Sequence, residues 1–139
     1  MTALAANRND IATKEGTVRP HPVKGSTHIY KGALVCKVGG YLAPALNTTG
    51  YSHVIGVANA EVNNTSATDG YASCPVRSGV SVNVVWAGGV QAAENNQIIY
   101  VADDQTVSTV SNSGVQAGLV EKYVSATAVR IFIPLGGMA

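Results

Sequence analysis

The stretch from Tyr30 to Pro44 reads YKGALVCKVGGYLAP, and it decides the fold class. It predicts a strand over Ala33–Val38, a break at Gly39-Gly40 and a second strand over Tyr41–Ala43. Glycine adopts the backbone angles of a tight turn at no steric cost, so two short strands joined by Gly-Gly read as one sharp reversal. A second stretch, VADDQTV at Val101–Val107, is an apolar run closed by a paired-acid turn. Asp favours such turns because its side chain bonds its own backbone.

The same texture runs outward in both directions. Further strands are expected at Thr27–Tyr30, His53–Ala58, Tyr71–Arg77, Val80–Trp86, Ile98–Val101, Thr106–Val110, Leu119–Val124 and Ala128–Ile133. Val80, Val82 and Val84 alternate with Ser81 and Asn83, which puts one face of that strand in a core and the other in water. Val129, Ile131 and Ile133 alternate with Arg130 and Phe132 in the same way. Breakers fall between the runs, at Asn47–Gly50, Asn63–Gly70, Gly88-Gly89, Asn95-Asn96 and Ser111–Gly114. Many short strands at this spacing predict an all-β protein, a small barrel or sandwich of about 8–10 strands. Only Val90–Asn96, VQAAENN, has the composition of a short helix.

Residues 1–26 differ. They carry few apolar side chains and no sustained period, and Pro20 and Pro22 flank His21. Each proline removes a donor and biases the residue before it toward extended backbone. This predicts three parts: an extended N-terminal arm over 1–26, a β domain over 27–135 and a tail over 136–139.

The chain has 139 residues, of which 46% are hydrophobic and only 12% charged. A chain of this length buries roughly two-thirds of its unfolded surface, so it needs no metal or disulfide staple. Globular domains average about 25% charged residues, so this surface is made of Ser, Thr, Asn and Gly. Such a surface repels neighbours poorly, which suggests contact with protein. The charge is uneven. Residues 1–37 hold six basic and two acidic side chains, a net of +4, and residues 38–139 hold three basic and six acidic, a net of −3. A basic arm on an acidic body fits an acidic protein surface or nucleic acid, and equally a solvated tail, since its charges are spaced.

Cys36 and Cys74 have no CxxC spacing and sit in apolar, strand-like text, so buried free thiols are expected, with a disulfide as the alternative. The N-terminus MTALAANRND lacks the charged and apolar regions of a signal peptide, and no run reaches the ~18 apolar residues of a membrane helix. A soluble protein made in a cytoplasm, with no membrane partner, is the expectation.

Chemistry-bearing patterns are sparse. His21, His28 and His53 have neither the helical pairing nor the Cys partners of zinc sites. Asp103 and Asp104 are adjacent, and neighbours on extended chain point to opposite faces, so a turn is expected rather than a catalytic or calcium site. No GxSxG elbow, phosphate loop or dinucleotide fingerprint appears. Neither enzyme activity nor a cofactor or metal is expected. Trp86 closes an alternating strand and reads either as a core aromatic or as an interface anchor. No aromatic ladder with interleaved basic residues points to direct nucleic-acid binding.

Taken in order, the motifs resemble the capsid cement, or decoration, proteins of tailed phages. They are PVKG at Pro22–Gly25, YKGALV at Tyr30–Val35, GGYLAP at Gly39–Pro44 and IGVANAEVNN at Ile55–Asn64, then DGYASCPVRSGV at Asp69–Val80, YVADDQTV at Tyr100–Val107 and AGLVEKY at Ala117–Tyr123. The resemblance spans about residues 20–133, and the trailing IPLGGMA departs from it. It implies a structural virion protein on the outer capsid surface, made in the host bacterial cytoplasm. It would bind the major capsid protein of an expanded shell, as a homotrimer, and cement capsomers against the pressure of packaged DNA. On this reading Arg8, Lys14, Arg19, Pro20, His21, Pro22 and Val23 are capsid contacts, with Trp86 a further interface aromatic. The alternative from another class is a head-fibre base or a host- or carbohydrate-binding module, for which Trp86 and Tyr51 are the available aromatic platform.

Overall fold

A computed structural model describes residues 3–7, 16–86, 91, 97–110 and 114–137. Among them the fold is all-β, with twelve strands: β1 Thr17–Pro22, β2 Thr27–Ile29, β3 Leu34–Val38, β4 Tyr41–Pro44, β5 Gly56–Ala58, β6 Val62–Asn64, β7 Ser73–Ser78, β8 Val80–Trp86, β9 Ile98–Val101, β10 Thr106–Ser108, β11 Gln116–Ser125 and β12 Ala128–Ile133. All ten expected strands are present. β1 and β6 are additional. The helix expected over Val90–Asn96 lies outside the described residues apart from Gln91.

The strands form three groups. β10-β8-β12-β11-β9 close into a five-stranded barrel, in which the β10–β8 pair is parallel and the rest antiparallel. β1-β7-β5-β3-β4 form an antiparallel sheet, and β2 and β6 a separate ribbon. The sheet curls until its two edges touch. Just past β1, Val23 makes a parallel bridge to Leu42 of β4, and the Lys24 N–H donates to the Leu42 carbonyl at 2.9 Å.

Two glycine positions explain the connections. Gly39 and Gly40 both have positive φ (59° and 89°), and Val38 pairs with Tyr41, so they form the two-residue hairpin turn whose twist matches the strands. Gly79, at φ 66°, is the sole residue between β7 and β8. It turns the chain from the sheet into the barrel at an angle that a residue with Cβ resists.

Strand alternation divides the core in two. One face of the sheet presents Leu34, Cys36 and Val57 to the barrel interior, where they join Val80, Val82, Val84, Trp86, Ile131 and Ile133. The other face presents Val35, Ala58, Cys74 and Val76 to a second core with Val23, Ile29 and Leu42. Register requires this split: Leu34 lies opposite Val57, while Ala58 lies opposite Val76. Each fully buried Val, Leu or Ile contributes roughly 1.5–3 kcal/mol of transfer free energy.

The expected arm therefore needs correcting over its second half. Thr17–Pro22 is extended, as the prolines predict, but its partner is the chain's own β7, over the register Thr17↔Ser78 to Pro22↔Ser73. The boundary at residue 26 cuts through the folded body. Among the earlier described residues Leu4 is also fastened: its N–H donates to Asp104 Oδ1, and its side chain packs on the second core. Met138 and Ala139 lie outside the described residues, while Gly136 is tied down by its N–H to Ser78 Oγ at 3.1 Å.

Candidate interaction surface

β1 is an edge strand of the curled sheet, paired with β7 along Thr17–Pro22. Its residues are exposed except His21, which is half-buried. Edge strands offer unpaired backbone groups to other chains, and proline blunts them. Pro20 and Pro22 do so here and share a face with Val18. Arg19 and His21 point to the other face, across from Val76 and Cys74.

On that second face a pocket of about 490 Å³ opens beside β1. Arg19, His21 and Lys37 supply its basic wall, Ile55, Val76 and Leu135 its apolar wall, and Ser52, Ser78 and Gly136 complete it. Burial holds His21 below its ordinary value of 6.5, and the charges of Lys37 and Arg19 push the same way. Two cations, Arg19 and Lys37, and the His21 imidazole thus converge from two strands with no carboxylate among the lining residues.

Of the contacts expected from sequence, Arg19 and His21 meet in this pocket, and Pro20 and Pro22 lie exposed beside it. Arg8 and Lys14 lie outside the described residues. Val23 is not a surface residue. It is fully buried, its N–H donates to the Ala72 carbonyl at 2.9 Å, and its carbonyl accepts from Gly70 N–H at 2.8 Å. Trp86 is not an interface aromatic either. It is 1% exposed inside the barrel, where Nε1–H donates to the Ser125 carbonyl at 2.8 Å. Tyr51 is half-buried against the same core. With Trp86 buried, the two do not form an exposed aromatic platform.

Sequence reading missed Tyr71, which is 80% exposed. Its setting in an Asp-Gly-Tyr turn was the available signal. Tyr71 borders an open depression of about 710 Å³ formed by Asn63–Thr68 and Ala72. Asn64 builds this loop from within: Nδ2 donates to the carbonyls of Val23, Lys24 and Thr68 at 3.1–3.3 Å. Close by, His28 Nε2 meets Glu61 Oε2 at 2.8 Å, and Asn7 Nδ2 donates to Glu61 Oε1 at 2.9 Å. Those bonds hold the Glu61 carboxyl below its usual range.

Asp103 and Asp104 form the expected turn. Asp103 Oδ1 accepts from Gln105 N–H, while Asp104 reaches the opposite way to Leu4. Among the described residues no cluster of three or more His, Cys, Asp or Glu could hold a metal ion, and no helix is long and apolar enough to cross a membrane. No protein-family model matches the chain, and no curated protein is significantly similar to it.

Proposed function

We propose that this protein is a structural, protein-binding component of a phage virion that docks on the outside of an expanded capsid and cements neighbouring capsomers. The ordered series of seven motifs supports the reading, and so does the low charge of the chain. The observation that carries it is the exposed edge strand β1, with a basic pocket at its side, on a doubly cored β body. A rigid body bridging two capsid subunits resists their separation mechanically. A standard protein interface buries about 1,600 Å² in total. Contacts made only with the expanded shell would stabilise that state by mass action.

The test is co-sedimentation of the protein with emptied capsids of its own phage, unexpanded and expanded. Saturable binding to expanded shells alone, with a raised shell melting temperature, is the expected result. Binding to neither form would overturn the proposal. Deleting residues 1–20 is a poor probe, because it removes most of β1 from the sheet.

A second reading draws on Tyr71. An exposed tyrosine beside an uncharged Asn, Thr and Ser loop suits a sugar face, as in a host- or carbohydrate-binding module. A glycan array with no hits would remove it.

A further inference from the structure

The pocket between β1 and β3 has a chemistry that identifies what it takes. Its basic groups are placed by the fold and not by sequence proximity. Arg19 and His21 share a face of β1, and Lys37 arrives from β3 on the same face of the sheet. No side-chain hydrogen bond or ion pair engages any of the three among the described residues. Cations gathered in a concave, partly desolvated site create a field that favours an anion.

This chain's own described acids are already engaged. Glu61 is held by His28 and Asn7, Asp69 Oδ1 accepts from Gly25 N–H, and Asp103 Oδ1 accepts from Gln105 N–H. Asp104 bonds Leu4 N–H, and Glu121 accepts from Ser81 Oγ. Among the described residues, then, no carboxylate answers the charge of Arg19 and Lys37. The apolar wall narrows the class further. A hydrated inorganic anion gains nothing from Ile55, Val76 and Leu135, whereas a carboxylate flanked by aliphatic groups buries both of its parts. Ser78 Oγ accepts from Gly136 N–H, which leaves its own O–H to donate to an incoming oxygen. The volume, about 490 Å³, lies in the range of sites that enclose a small ligand or a few side chains.

We infer that this pocket receives an acidic side chain carried on an apolar segment of a partner protein. Arg19 and Lys37 hold the carboxylate, and Ile55, Val76 and Leu135 take the neighbouring aliphatic groups. The inference rests on the reading of this protein as a protein-binding module and names the chemistry of the grip.

The test is a titration of the full, ¹⁵N-labelled chain at low ionic strength with the peptide acetyl-Leu-Glu-Leu-amide, followed by NMR. Its glutamine counterpart, acetyl-Leu-Gln-Leu-amide, sodium acetate and inorganic phosphate are titrated in parallel. Saturable shifts centred on the amides of His21, Lys37, Val76, Ser78 and Gly136 are expected. The glutamine peptide and the two small anions should each bind at least tenfold more weakly. The pair Arg19→Gln and Lys37→Gln should also lose at least tenfold, with the rest of the spectrum unchanged. No saturation, shifts centred elsewhere, or equal binding of the glutamine peptide would overturn the inference. Phosphate or acetate binding as tightly as the peptide would overturn it in favour of a simple anion site. The peptide comparison needs no variant, so it stands even if the substitutions disturb folding. It also involves no shell: peptide binding without capsid binding keeps the pocket and removes the cement proposal, and the reverse result does the opposite.

Discussion

Asp104 accepts the main-chain N–H of Leu4 at 2.9 Å, across one hundred residues of sequence. Its own carbonyl accepts the N–H of Leu34, the first residue of β3, at 2.8 Å. One residue of a barrel turn thereby fastens both the N-terminal segment and the curled sheet. Leu4 in turn packs on the second core, so it is part of the fold.

Replacing Asp104 by Ala should cost about 1–3 kcal/mol, because a part-buried donor loses its acceptor. Urea denaturation checks the magnitude, and hydrogen exchange checks the place. The Leu4 amide should exchange faster in the variant, with β8 and β12 amides protected as before relative to the new global stability. Unchanged exchange at Leu4 would show that the contact does not hold the segment.

Trp86 should behave as a core residue. Trp86→Ala is expected to lose about 3–5 kcal/mol, and Trp86→Phe less, chiefly through the unpaired Ser125 carbonyl. At temperatures where the Phe variant is folded, its binding to any partner should equal that of the natural protein. A selective loss of binding without loss of stability would restore the interface role.

Cys36 and Cys74 should not pair. Cys36 faces the barrel core and Cys74 the second core, so the sheet itself stands between them. Burial pushes the Cys36 thiol up to about 12 and the Cys74 thiol up to about 11. Only the thiolate reacts, so both should resist iodoacetamide at pH 8 in the native state. In urea without reductant, mass spectrometry should find two modified thiols. Fewer than two would indicate a disulfide.

His21 predicts a pH dependence of both stability and binding. Its native pKa lies below 6.5, so the unfolded chain takes up the proton first as pH falls. Its contribution is therefore unfavourable on the acid side: stability should decline as pH drops below about 6.5, and His21→Gln should flatten that slope. The groups facing it are Arg19 on β1, Lys37 on β3 and the protonated Cys74 across on β7. A bound carboxylate reverses the balance by favouring imidazolium. The acidic peptide should thus bind more tightly below pH 6.5, and the His21→Gln variant should show no such gain.

The strands were legible because their signals are local. Alternation at Val80–Val84 and Val129–Ile133 and the Gly39-Gly40 turn each follow from residues within one strand length of each other. β1 escaped because an exposed edge strand has no buried face to impose alternation, and Arg19, Pro20, His21 and Pro22 read as tail. β6 escaped because Val62, Asn63 and Asn64 form a three-residue strand in a loop-like run, and only tertiary bonds from Asn64 reveal its burial. Within the candidate site, Arg19 and His21 stood out as basic and proline-flanked. Lys37, Ile55 and Leu135 carried no mark.

By itself the sequence determined that the protein is all-β, where most strands start and stop, and which side of each alternating strand is apolar. Those properties depend on backbone preference and on a two-residue period, both of short range. Only the tertiary structure decided which strands close the barrel and which curl into the sheet. It also decided that Val23 and Trp86 are inside, that the two thiols are separated, and that Arg19, His21 and Lys37 share one pocket. These depend on pairing between distant strands, whose register is set by how two separate cores fill, and no local pattern encodes that.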